Sequence, residues 1–225
     1  MAVVNYTSMN DVLSALFGSS ARVKILRLFL SNLDTSYTAA EVGKRSKVHT
    51  QTVRKELSLF TKVGLLKKHT ITETVTSGRG KNIKEKKKKV PAYVVDRSFK
   101  DLTALRNLIL NIAPTDNVGV AKKVGGVGKI KLIITAGEFI QEEDSRVDIL
   151  IVGDTLRDAR LKAVIRDIEA HMGKELRYAA FSTDDFMYRL SIYDRLIRDV
   201  LDYPHQIIVD RLAVGWQDVH MRKNN

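Results

Sequence analysis

Two helix starts separated by a short polar turn and closed by a glycine constrain this chain more than any other feature. Thr38-Ala39-Ala40-Glu41 has the spacing of a capping box, in which hydroxyl and carboxylate each satisfy an orphan amide at a helix start. A helix of about two turns is therefore expected, ending near Arg45. After Ser46-Lys47-Val48, a second helix is expected over 49–63, with Val53, Leu57 and Phe60 turned inward and Gly64 as its stop. Upstream, Val23, Leu26, Phe29, Leu30 and Leu33 recur at three- and four-residue steps, which predicts a helix over 20–33 capped by Ser19 or Ser20. Downstream, the β-branched stretch 65–76 reads as a strand, 77–89 breaks it, and 90–95 returns as its partner. The local order is three helices and a hairpin.

Charge divides the chain in the same place. Residues 1–100 hold 20 Lys or Arg against 7 Asp or Glu, whereas 101–225 hold 18 against 19, so the net charge of +12 lies entirely in the first part. A basic module joined to a neutral one suggests that the first meets a polyanion and the second does something else. The expected hairpin tip, 78–89, carries Arg79, Lys81, Lys84, Lys86, Lys87, Lys88 and Lys89 with Glu85. The stretch 37–66 with the hairpin behind it resembles the ArsR-like winged helix-turn-helix families. That resemblance implies a third helix entering the major groove by its N-terminal half, where Thr50, Gln51, Thr52, Arg54 and Lys55 lie off the Val53/Leu57/Phe60 face. Gln51 and Arg54 offer bidentate contacts to base edges, and the hairpin lysines suit phosphates. The implied partner is double-stranded DNA, met by a homodimer.

The remainder alternates in period. A helix over 102–112 leads to a Gly-rich connection at 119–128, read as a linker. Strands are expected at 130–135 and 147–152, a helix over 155–172, and a strand through Leu176, Tyr178 and Ala180. A capping box at Ser182–Asp185, two further helices and a strand at 206–209 complete an α/β pattern with a modest sheet. The expected class is α+β or α/β in two domains: a DNA-binding module at 1–98, a helix and linker at 99–128, and a second domain at 129–215.

Residues 131–154 and 175–186 resemble the DNA polymerase β-like minimal nucleotidyltransferases, whose members hold phosphates with a Gly-Ser turn and Mg²⁺ with Ser-Asp-x-Asp. Here Ser145 and Asp148 are kept, Arg146 stands where the first metal-binding Asp belongs, and the Gly-Ser pair falls on Ala136-Gly137. The later carboxylate has no counterpart, and Arg177 lies near its place. Two-cation nucleotidyl transfer needs several carboxylates, so the resemblance implies an inactive homologue without a metal or cofactor and with no catalytic residues. Asp144, Arg146 and Asp148 at two-residue spacing suggest an internal ion-pair ladder, or, with Arg146, a site for a small anionic or nucleotide effector.

The rest excludes alternatives. The absence of cysteine removes thiolate metal sites and disulfides, and the five histidines lack ligand spacing. The 126–131 stretch lacks the glycine and hydroxyl of a phosphate loop, and Trp216 is expected to pack the tail. No run reaches the length of a membrane span, and the first residues lack a basic, then apolar, leader; a soluble cytoplasmic protein is expected. The function expected is a sequence-specific transcriptional regulator whose second domain dimerises or senses a ligand. An active, antitoxin-like nucleotidyltransferase and a non-specific nucleic-acid binder are the alternatives.

Overall fold

The computed structural model describes residues 10–77, 84–111, 117–142 and 145–212. They form a mixed α+β fold with two small sheets. By their contacts they fall into two compact units, one of residues 1–116 with 166–175 and the other of 117–165 with 176–225.

In the first unit, α1 (Asn10–Leu16) precedes α2 (Ser20–Ser31), whose first turn is capped by Ser19 Oγ accepting from Arg22 N at 3.2 Å. Strand β1 (Tyr37–Thr38) runs into α3 (Ala39–Ser46), and the Thr38–Glu41 capping box is present in both directions. The connection to α4 (Thr50–Lys62) is three residues long and starts with Lys47 in the left-handed region. Gly43 permits this turn, since a Cβ there would stand 3.1 Å from the Val48 carbonyl oxygen. Strands β2 (Leu66–Ser77) and β3 (Lys84–Val95) form the hairpin, and α5 (Leu102–Leu110) follows.

Helix α2 is buried on nearly every side, including Val23, Ile25, Leu26, Leu28, Phe29 and Leu30, which makes it the axis of the unit's core. Val53, Leu57 and Phe60 of α4 join that core, as does Ile109 of α5. Two charges lie inside. Arg27 is fully buried, donates to the carbonyl oxygens of Ile109 and His171, and burial lowers its pKa to about 10. Glu56, also buried, takes Arg22 Nε at 2.8 Å and Nη2 at 3.3 Å, which ties α4 to α2.

The hairpin departs from its sequence reading. Residues 84–89 were expected in a loop, but they are strand, and pairing is continuous from Leu66↔Val95 to Ser77↔Lys84. The lysine run is accommodated because Lys87 and Lys89 stand opposite Thr74 and Thr72, and Lys88 opposite Glu73. A short third strand, β1, which sequence reading did not identify, pairs with β3 and gives the order β1-β3-β2.

In the second unit, α6 (Asn117–Gly125) occupies most of the stretch read as a linker: the glycines at 125, 126 and 128 end the helix rather than replace it. Strand β4 (Lys129–Thr135) is followed by the 3₁₀ turn Gly137–Phe139 and then by β5 (Ile149–Asp154), which begins two residues later than expected. Helix α7 (Asp158–Met172), whose later part belongs to the first unit, leads to β6 (Tyr178–Phe181), α8 (Thr183–Ser191), α9 (Arg195–Asp202) and β7 (Gln206–Asp210). The sheet order is β6-β5-β4-β7, with β5 and β6 parallel and the other pairs antiparallel. The expected α/β alternation thus yields a mixed sheet with a single parallel pair. One face packs Leu132, Ile134, Leu150 and Val152 against Phe186, Ile197, Val200 and Leu201.

The Glu56 ion pair should carry measurable stability. Glu56→Ala strands the Arg22 guanidinium in a partly buried site and should cost about 1–3 kcal/mol in urea unfolding. The double variant Glu56→Ala/Arg22→Ala should lose less than the sum of the single losses; strict additivity would show that the two side chains do not interact.

Candidate nucleic-acid interface and carboxylate site

Helix α4 presents two opposed surfaces. Its buried stripe is Val53, Glu56, Leu57 and Phe60, and its N-terminal turns expose Thr50, Gln51, Arg54 and Lys55, with Thr52 half-buried. The His49 imidazole caps the helix by accepting from Gln51 N at 3.4 Å. Neither Arg54 nor Lys55 is engaged in an ion pair among the described residues. The helix thus offers donors of both planar and point-charge kind from one face, backed by a core that fixes its orientation.

In the hairpin, Lys87, Lys88 and Lys89 are exposed, together with Lys67, Lys68 and His69 near its base. Lys84 and Lys86 lie on β3, while Arg79 and Lys81 fall outside the described residues. The base is fastened by Lys67 Nζ at 2.8 Å from Asp96 Oδ1. That contact, with the Ser98 hydroxyl and amide, holds the Asp96 carboxyl down to about 2. Burial ends at Leu66, Ala92 and Val95, and of the described side chains farther out Thr72, Thr74, Lys87, Lys88 and Lys89 are exposed, with Lys88 on the face opposite Lys87 and Lys89. Lys68 and His69 were not singled out in the sequence, although each continues the basic character of the hairpin.

In the second unit the structure brings Gly137, Ser145 and Asp148 together. Asp148 is fully buried. Its Oδ1 accepts from Glu138 N at 3.1 Å and Arg177 Nη2 at 3.0 Å, and its Oδ2 from Arg177 N at 2.7 Å and Arg177 Nε at 3.2 Å. Those four donors fill the four acceptor positions of a carboxylate. The pairing raises the Arg177 pKa, chiefly through its hydrogen bond to Asp148. Ser145 Oγ donates to the Val147 carbonyl oxygen at 2.7 Å.

Of the expected ladder of Asp144, Arg146 and Asp148, the two described members do not pair with each other. Arg146 turns away, and its Nε lies 2.7 Å from Asp199 Oδ2 on α9, a charge contact whose angle misses hydrogen-bond geometry. Asp148 takes Arg177 instead. The pairing of Arg146 with Asp148 required strand alternation between them, but regular strand starts only at Ile149, so that alternation does not apply to these two side chains. Asp144 lies outside the described residues, as does Trp216. Among the described residues no cluster of three or more His, Cys, Asp or Glu is arranged to hold a metal ion, and no helix is long and apolar enough to cross a membrane.

No protein-family model, curated protein or solved structure shows a significant match to the chain.

Gly137 holds the carboxylate site open. It sits at φ +50°, and a Cβ there would overlap the Asp148 carboxylate. Gly137→Ala should therefore displace Asp148 from its four donors and destabilise the unit by about 3 kcal/mol or more, read as a lowered thermal midpoint. An unchanged midpoint would mean that the cage is not needed for stability.

Proposed function

We propose that the protein is a sequence-specific DNA-binding transcriptional regulator. On this reading the first unit is a winged helix-turn-helix, with α4 as the helix that reads the major groove and the β2–β3 ribbon as the wing. The observation that carries it is the division of α4 into a buried stripe and an exposed N-terminal face bearing Thr50, Gln51, Arg54 and Lys55, next in sequence to a lysine-bearing ribbon. Gln51 and Arg54 are the base-reading pair, and Lys86 to Lys89 contact phosphates. The protein acts as a homodimer on two half-sites in the cytoplasm.

The second unit, on the same reading, is a nucleotidyltransferase-like domain that has lost catalysis and serves dimerisation or ligand sensing. Supporting this, Asp148 has every acceptor position filled by Arg177 and the Glu138 amide, which leaves it none for a cation. The purified chain should incorporate no labelled nucleotide into itself or into RNA with Mg²⁺ or Mn²⁺. Incorporation abolished by Asp148→Ala would establish the opposite reading, an active nucleotidyltransferase.

Base reading and charge separate experimentally. Gln51→Ala or Arg54→Ala should cost about 1–3 kcal/mol on the preferred duplex and leave random duplex nearly unchanged. Replacing Lys86, Lys87, Lys88 and Lys89 by Gln should weaken all duplexes alike and flatten the salt dependence by roughly 0.9 in log–log slope for each phosphate no longer neutralised. Fluorescence anisotropy across a salt series measures both. Equal weakening on both duplexes in the helix variants, with no preferred sequence from library selection, would replace the regulator by a non-specific binder.

A further inference from the structure

In the second unit, α6 and the outer ends of β4 and β7 enclose a half-open hollow of about 630 Å³, away from the Asp148 cage. Its floor is apolar, with Ile133 and Val209, and Val118 of α6 stands at its side, 74% exposed. Around this floor are Lys122, Lys129, Lys131 and Arg211, and among the described residues no Asp or Glu lines the hollow. None of the four cations is in an ion pair with a described residue.

The arrangement is unfavourable in its own right. Ile133 pairs directly with Val209, Leu132 with Asp210, and two residues out from the first pair the Arg211 amide donates to the Lys131 carbonyl oxygen at 2.7 Å, which sets two cations opposite each other at the ends of β4 and β7; Arg211 Nη1 also donates to the Ile130 carbonyl oxygen at 3.5 Å. Like charges in that position repel and destabilise a sheet. Lys131 is also the extra residue at the register shift between Ile130 and Leu132 on the β5 side, a bulge of the kind that re-aims a side chain.

We infer that this hollow binds a small phosphorylated molecule with an apolar ring body. Four cations outnumber what a single carboxylate requires and match a phosphate ester dianion, for which lysine and arginine donate charge-assisted hydrogen bonds. The floor supplies burial for the body, and the volume falls within the range of ordinary small-molecule sites. Bound anion would relieve the Lys131–Arg211 repulsion, so occupancy and stability of the sheet edge rise together.

The test uses the full chain and titration calorimetry with three probes: 1-naphthyl phosphate, 1-naphthol and inorganic phosphate. Naphthyl phosphate is expected to bind at one site, about tenfold or more tighter than either fragment, and to raise the thermal midpoint. Lys131→Gln and Arg211→Gln should each weaken it about tenfold, while the ligand-free midpoint of Lys131→Gln stays level or rises because a like-charge neighbour of Arg211 has gone. Affinity unchanged in both variants overturns the site, and inorganic phosphate binding as tightly as the ester overturns the apolar body. Binding that emerges only when the chain is cut after Leu212 overturns the proposal too, because the hollow would then belong to the chain's own last residues. DNA affinity plays no part in these readouts, so this inference and the regulator reading stand or fall separately.

Discussion

A carboxylate withdrawn from water must have its acceptor positions filled and its charge matched, or it costs several kcal/mol, and this requirement organises both units. Asp148 meets it with donors from two separate segments: the amide of Glu138, in the turn after β4, and three groups of Arg177, just before β6. The same residue donates its own amide to the Arg177 carbonyl oxygen and accepts from Ala136 N through its carbonyl. One side chain thereby registers three strand ends. Glu56 does the equivalent in the first unit, where the Arg22 guanidinium fixes α4 on α2. In the first unit the buried charge thereby sets the position of the helix from which a function is proposed.

The parts legible in sequence are those governed by local rules. The Thr38–Glu41 capping box, the Ser19 cap, the Val53/Leu57/Phe60 stripe and the glycine at 64, at φ +83°, all follow from neighbours within four residues. Glu56 was within reach as well, because it completes the stripe 53, 56, 57, 60, but a glutamate on an apolar face gives no hint of which arginine will meet it. The pairing of Asp148 with Arg177 spans 29 residues and that of Arg146 with Asp199 spans more, so neither is fixed by spacing. The error at 84–89 has a different origin. A lysine run reads as loop by composition, whereas strand pairing depends on what stands opposite, and threonines at 72, 74 and 76 with Glu73 between them supply a compatible partner. Likewise, glycines at 119–128 suggested a linker, although the intervening Val120 and Val124, four residues apart, are the buried contacts of a helix.

Beyond its buried base, the β2–β3 ribbon has neither a covering layer nor a third strand among the described residues, and a two-stranded ribbon in water is marginally stable. Among the described side chains, Lys87 and Lys89 share one exposed face of β3 and repel each other, and Glu73 stands opposite Lys88. The free energy that holds such a ribbon together thus depends on the ions around it. Any polyanion that lies along it removes the repulsion and contributes contacts at once, so binding and ordering of the ribbon are one linked equilibrium. Helix α4 is in the opposite situation, with its orientation set by Leu57, Phe60 and the Arg22 pair before any partner arrives. A reader built from these two elements would gain specificity from the preorganised helix and affinity from the charge-governed ribbon, and salt would act on the second far more than on the first.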